Sequence, residues 1–154
     1  MAHCLWITKN IYGAHMISAD TGFWVALLDR RDNLHQKVRG YAAGLNEPLI
    51  TTVPVVTEVC YLLQTRCGAQ YSAEFLLAQG DGLFQLFMIG ETEFPKMALL
   101  MHQYADLPMD LADASLILLA EYLGHGRIVS SDRRDFNTYR WKNHHPVVNL
   151  VEDL

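Results

Sequence analysis

Asp110 and Asp113 stand three residues apart at the head of an apolar run, Leu111–Leu123. In a helix that spacing puts both carboxylates in the first turn and on one face. Asp20 closes a short apolar segment at 16–20, and Glu58 lies just beyond a second at 48–52. Asp132 follows a third, Arg127–Val129, with Asp135 three residues further on. Carboxylates that share one crevice repel each other and resist desolvation, so they must be protonated, paired or neutralised by a cation. No cluster of Lys or Arg lies within these motifs to pair all of them. An oxygen-only donor set, without cysteines or an ordered set of histidines, suits a hard divalent ion, Mg2+ or Mn2+. Each acid also has a structural reading: Asp110 and Asp113 as a helix cap and a first-turn acid, Glu58 as an exposed helix residue, Asp132 as a turn former before Arg133.

These acids bear on one site only if the elements around them converge. In Leu111–Leu123 the residues Leu111, Ala114, Leu118 and Tyr122, with Leu119 and Leu123, recur at helical spacing, and Gly124 and Gly126 mark the stop. Segment 16–20 predicts a strand, followed by helices at 22–29 and 34–45, the second capped by Asp32 or Asn33. Segment 48–52 is a second strand. Thr52 then caps a helix with Pro54 in its first turn, running to about Arg66. Gly68 separates it from a helix at 69–79. Strands at 84–89, Arg127–Val129 and 147–151 and a helix at 92–104 complete the outline. Short apolar strands alternating with helices predict a parallel sheet covered on both faces, an α/β fold. With the first and fourth strands as neighbours, Asp20, Glu58, Asp110, Asp113 and Asp132 meet at the carboxyl end of the sheet, where open α/β sheets bind ligands.

A chain of 154 residues, 51% hydrophobic, fits one domain with a sizeable core. The first fifteen residues have neither the basic start nor the apolar stretch of a secretory leader. Met16 heads the first strand, so 1–15 is an N-terminal extension of unknown role and 16–154 the domain. No stretch is long and apolar enough to span a membrane. Three cysteines, Cys4, Cys60 and Cys67, form no CxxC pair and support neither a disulfide framework nor a cysteine zinc site, so a reducing, cytoplasmic setting is expected. The seven histidines show no metal-ligand spacing; His144 and His145 precede Pro146 in a polar loop. Trp6, Trp24 and Trp141 read as core or interface anchors. Asp20-Thr21-Gly22 spells the aspartic-protease tripeptide, but that fold is mostly β and here the tripeptide leads straight into a helix.

Four stretches in this order, ISADTGFWVALLDRRDNLH from Ile17, VPVVTEVCYLL from Val53, MDLADASLILLAEYLG from Met109 and IVSSDRRDF from Ile128, resemble the PIN-domain ribonucleases, in particular toxins of the VapC type. The motifs are short; their order and spacing carry the match. The resemblance implies a three-layer α/β/α fold with a central, mostly parallel five-stranded sheet and a metal-dependent nuclease site. By position the acidic quartet is Asp20, Glu58, Asp113 and Asp132, with Asp110 and Asp135 as supporting acids. Asp20 and Asp113 are then the foremost direct ligands, followed by Asp132, with Glu58 either a ligand through water or the group that orients the nucleophile. Thr21 and Ser130 are hydroxyl supports; Ser130 stands where the family often has threonine. The implied reaction is phosphodiester hydrolysis in RNA with Mg2+ or Mn2+, and the implied partners are a second copy and a small antitoxin whose segment fills the acidic crevice. The apolar helices near 53–63 and 69–77, with Trp24, are the expected dimer or antitoxin surface.

A formal net charge of −5 does not by itself suit a nucleic-acid binder. From Met16 onward there are 11 Lys+Arg against 17 Asp+Glu, and setting aside the six acids Asp20, Glu58, Asp110, Asp113, Asp132 and Asp135 leaves 11 against 11. The acidity is concentrated where a cation would neutralise it. Arg30, Arg31, Arg133, Arg134, Arg140 and Lys142 follow the acidic segments and are either phosphate contacts or a solvated rim. With no broad basic face, selective cutting of a structured RNA fits better than tight binding along any strand. Two other functions remain open: a PIN nuclease acting in RNA processing or on structured DNA outside a toxin system, and a PIN-like module that holds RNA or metal without cutting.

Overall fold

The computed structural model describes residues 15–107, 109–131 and 133–151 and, for 133–135, the backbone alone. Its centre is a five-stranded, wholly parallel sheet in the order β3-β2-β1-β4-β7. The strands are β1 (Ile17–Ala19), β2 (Leu49–Thr52), β3 (Gln85–Phe87), β4 (Arg127–Val129) and β7 (Val148–Asn149). β5 (Arg140–Trp141) and β6 (His145–Pro146) form a separate antiparallel hairpin. Every residue of β1 and β2 is buried, as expected of strands covered on both faces.

Among the described residues seven helices flank the sheet: α1 (Thr21–Leu28), α2 (His35–Ala43), α3 (Val53–Arg66), α4 (Ala69–Gly80), α5 (Phe94–Gln103), α6 (Leu111–Leu123) and α7 (Arg133–Thr138). α6 packs on β1 and β2, while α3 packs against α1, α4 and α6. Gly124 ends α6 in the left-handed region at φ 76°, where glycine carries no Cβ penalty, and its N–H returns to Ala120 O at 2.9 Å. Pro95 sits in the first turn of α5, where a missing N–H costs no helix bond.

The chain runs outward from β1 through β2 to β3, then returns to place β4 on the other side of β1. The strand order therefore reverses between β1 and β4, and the crevice beyond their carboxyl ends is the topological switch point at which such sheets bind ligands. Asp20 directly follows β1 and Ser130 directly follows β4, with Asp20 N–H donating to Val129 O at 3.2 Å across that seam. A side chain extends the next seam: Asn149 Oδ1 accepts from Ser130 N–H at 3.1 Å and its Nδ2 donates to Ser130 O at 3.0 Å, reproducing a ladder pair beyond the end of β4.

The expected strands all form, the fourth with the bounds expected and the others shorter at one or both ends, and three local features differ from the outline. α2 starts at His35, with no side-chain cap on its preceding residue; Asp32 instead accepts from Leu34 N–H at 2.9 Å, forming a turn before the helix. Arg133–Asp135 opens a short helix, α7, that the sequence outline did not include. Trp24 belongs to no surface: it is fully buried, packing at ring-centroid distances of 5.4, 5.6 and 5.3 Å on Phe23, Phe75 and Phe84. The face that α1 turns toward α3 and α4 therefore closes a core, and the aromatic pairs there add to plain area burial.

Candidate active site

Asp20 stands at the junction of β1 and α1, 5% exposed. It caps α1, with Oδ1 accepting from Phe23 N–H at 2.7 Å, and Ser130 Oγ donates to its Oδ2. Its carboxylate is thus held by its own helix and by the end of β4. Such charge-assisted bonds are stronger than neutral ones, which makes a nearly buried carboxylate tolerable.

Thr52 ends β2 and caps α3, and its hydroxyl meets the Ser115 hydroxyl of α6 at 2.6 Å. This buried contact fixes α3 and α6 side by side, and Glu58 lies in the second turn of α3. Glu58 Oε2 accepts from Thr21 Oγ1 at 2.5 Å, tying it to the first turn of α1. At the head of α6, Asp110 is the N-cap and its Oδ1 accepts from Asp113 N–H at 2.8 Å. Asp113 Oδ2 in turn accepts from Tyr139 OH at 3.2 Å.

Asp20, Glu58, Asp110 and Asp113 line one cleft of about 310 Å³ with Thr21, Gly22 and Ser131, between apolar walls from Leu62, Leu116 and Phe136. A Cβ on Gly22 would run into the Ser131 hydroxyl, so the close approach of α1 to the loop after β4 favours glycine there. Four of the acids singled out in the sequence are thereby brought together. Asp132, next in the chain to the lining residue Ser131, lies outside the described residues, as do the side chains of Arg133, Arg134 and Asp135. Thr21 and Ser130 do hydrogen-bond carboxylates, to Glu58 and Asp20 respectively.

The remaining basic residues are placed elsewhere. Arg30 is exposed beyond the C-terminal end of α1, in a separate cleft of about 390 Å³ with Leu27, Leu28, His35, Arg39, Tyr71 and Glu74. The Arg31 side chain donates to Asp29 and to Arg66 O. Arg140 Nη1 caps the end of α7 at Asn137 O, Thr138 O and Tyr139 O, and Lys142 Nζ lies 5.6 Å over the Trp141 ring.

Sequence reasoning missed Tyr139 and Asn149, which hold the Asp113 carboxylate and the Ser130 backbone. Asn149 had a signal: one amide inside the apolar stretch VVNLV must satisfy its polar atoms if that strand is buried. Tyr139 had none beyond its place three residues after Phe136.

The donor chemistry of the cleft fits a divalent cation. Every ionisable group among its described lining residues is a carboxylate, and none of those residues is Lys or Arg. Among the described residues no three His, Cys, Asp or Glu side chains converge on one point as a ready shell.

The parallel sheet, its switch-point crevice and the carboxylates in the first turns of its flanking helices define a class of α/β protein with an acidic cleft. The PIN domain family model matches residues 17–142, and the chain belongs to that family. Among curated proteins it is similar to Ribonuclease VapC26 of Mycobacterium tuberculosis, 28% identical over 121 residues, which cover 79% of this chain and 90% of the relative. Among solved structures its fold is similar to that of Mycobacterium tuberculosis VapC20, described as a Sarcin-Ricin loop cleaving toxin, with a TM-score of 0.70 and 18% identity over 75% of this chain and 89% of that one.

Proposed function

We propose that the chain is a metal-dependent endoribonuclease, using Mg2+ or Mn2+, and that it is the toxin of a toxin–antitoxin pair acting in the cytoplasm. The observation that carries this is the gathering of Asp20, Glu58, Asp110 and Asp113 in one cleft at the switch point of the sheet. Membership of the PIN family and similarity to a curated VapC ribonuclease support the choice of RNA as substrate. Among the described residues no helix is long and apolar enough to cross a membrane.

In this reading Asp20 and Asp113 are direct ligands and Asp132 the next. Glu58 binds through water or orients the nucleophile, with Asp110 and Asp135 in support. A divalent cation bound there supplies charge to the scissile phosphate, lowers the pKa of a bound water and stabilises the departing oxyanion. A water oxygen bonds to phosphorus, one P–O ester bond breaks, and the products carry a phosphate monoester on one fragment and a hydroxyl on the other. Ser130 and Thr21 keep the Asp20 and Glu58 carboxylates in place as charge builds. Arg133 and Arg134, immediately after Asp132, are the phosphate contacts; Arg30, set apart from the cleft, would touch RNA only at a distance from the cut.

An apolar groove of about 570 Å³, with Val53, Tyr61 and Leu111 on its walls, adjoins the cleft and shares Glu58 and Asp110 with it. Tyr61, Leu76 and Leu77 on α3 and α4 are largely exposed. Exposed apolar area of this kind fits a homodimer and an antitoxin segment that reaches the carboxylates. The test of the enzyme is RNA cleavage with Mg2+ or Mn2+, with chelator, and with Asp113→Asn. Cutting is expected only with metal and wild-type protein; equal cutting by Asp113→Asn overturns the assignment.

A further inference from the structure

We infer that Tyr139 is a positioning residue for the cation site, acting through the carboxylate of Asp113. The inference rests on the reading of Asp113 as a ligand. Tyr139 is fully buried, so its phenol reaches neither RNA nor bulk solvent, and its OH donates to Asp113 Oδ2 at 3.2 Å.

The ring that carries this hydroxyl is clamped. It meets Tyr104 edge-on at 5.1 Å and 68°, and Phe136 edge-on at 5.7 Å and 89°. Tyr104 is itself tied to the next residue along, since Arg140 N–H donates to Tyr104 OH at 3.0 Å. The Arg140 guanidinium closes the same corner by donating to the carbonyls of residues 137–139. Burial, two edge contacts and an anchored backbone hold the ring with its hydroxyl on the Asp113 carboxylate. Asp113 is half-buried in the first turn of α6, where a bond that holds one carboxylate oxygen restricts the broad terminal torsion. Tyr139 supplies that hold from α7–β5, the segment whose Phe136 also walls the cleft. The geometry matches the outer partner of a ligating carboxylate, whose loss typically weakens metal affinity or activity about 10- to 100-fold.

Tyr139→Phe removes one oxygen and keeps both ring contacts, so the fold persists. Mn2+ affinity of the metal-free protein, measured by titration calorimetry, separates the outcomes, with Asp113→Asn alongside and steady-state RNA cleavage as the second readout. For Tyr139→Phe we expect a Mn2+ Kd weaker by roughly tenfold, the low end of that range for a single 3.2 Å bond, with kcat reduced and the KM for RNA unchanged. A Kd within about twofold of wild type, while Asp113→Asn has lost binding, overturns the inference and leaves Tyr139 as packing alone. Wild-type Mn2+ affinity in Asp113→Asn overturns the ligand role beneath it, an outcome that calorimetry on the two variants tells apart from the first.

Discussion

Replacing Asn149 with alanine tests whether a side chain can stand in for a strand. Asn149 is 5% exposed and makes three bonds to backbone: Ser130 N–H at 3.1 Å, Ser130 O at 3.0 Å and Val151 N–H at 3.2 Å. Alanine leaves those backbone groups without these partners at the buried carboxyl end of β4. At a net 0.5–1.5 kcal/mol per bond, three bonds amount to about 3 kcal/mol. For a chain of this size, about 2–4 °C per kcal/mol predicts a melting temperature lower by roughly 6–12 °C. Asn149→Asp should be no better, because a carboxylate keeps the acceptor but faces Ser130 O with no proton to give.

Thermal unfolding by circular dichroism, at equal protein concentration and without metal, reads this directly. The site supplies a second reading, because Ser130 Oγ holds Asp20. Asn149→Ala should lower Mn2+ affinity as well as stability, whereas a core truncation of similar cost, such as Leu63→Ala on α3, should lower stability alone. A drop of less than about 2 °C, within the range of ordinary surface substitutions, would refute the ladder argument. Unchanged Mn2+ affinity beside a large drop would confine Asn149 to the fold.

Asp110 can be separated into cap and charge. Asp110→Ala should cost about 1 kcal/mol through the lost bond to Asp113 N–H, while Asp110→Asn keeps an acceptor and the stability; a cleavage rate that falls in both variants marks the charge itself as used. The Glu47–Arg127 pair, at 2.7 and 2.6 Å, sets one pH dependence: the hydrogen bond from the Arg127 guanidinium holds the Glu47 carboxylate below its ordinary value. Because the folded value is the lower one, the pair's stabilisation is present above the ordinary Glu pKa of about 4.3 and lost as pH falls below it through the folded value. Chemical denaturation of Glu47→Gln against wild type should differ at pH 7 and converge toward pH 3; parallel curves would exclude the pair as a contributor.

The convergence of Asp20, Glu58, Asp110 and Asp113 was legible because each sits where a short apolar strand gives way to a helix or within the first two turns of a helix. In a parallel α/β chain all such junctions lie at one end of the sheet. What could not be read is what crosses the chain at long range without a periodic signature. Trp24 sits in TGFWVALL, a helix apolar on most sides, so periodicity cannot say which face is closed; the structure closes it with Phe75 and Phe84. α7 has six residues and is polar in sequence, giving no hydrophobic pattern to detect. The β5–β6 hairpin turns through Lys142 and Asn143 at φ 47° and 64°, and lysine there, unlike an Asn-Gly pair, carries no turn signal.

The same junctions explain how so many carboxylates share one cleft. α1, α3 and α6 follow or lie over the carboxyl ends of the strands, so their N-termini carry the positive ends of their dipoles to that edge. Asp20 and Asp110 are the N-caps of α1 and α6, each accepting a backbone N–H that would otherwise lack a helical partner. A carboxylate at a helix N-terminus gains about 0.3–1 kcal/mol, more when partly buried, and two caps recover part of the repulsion among the acids. Capping and the proposed cation binding therefore draw on the same side chains without conflict. An Asp holds the helix start with one oxygen while its charge still serves the cleft, and substitution to Asn should separate the two roles at Asp20 as at Asp110.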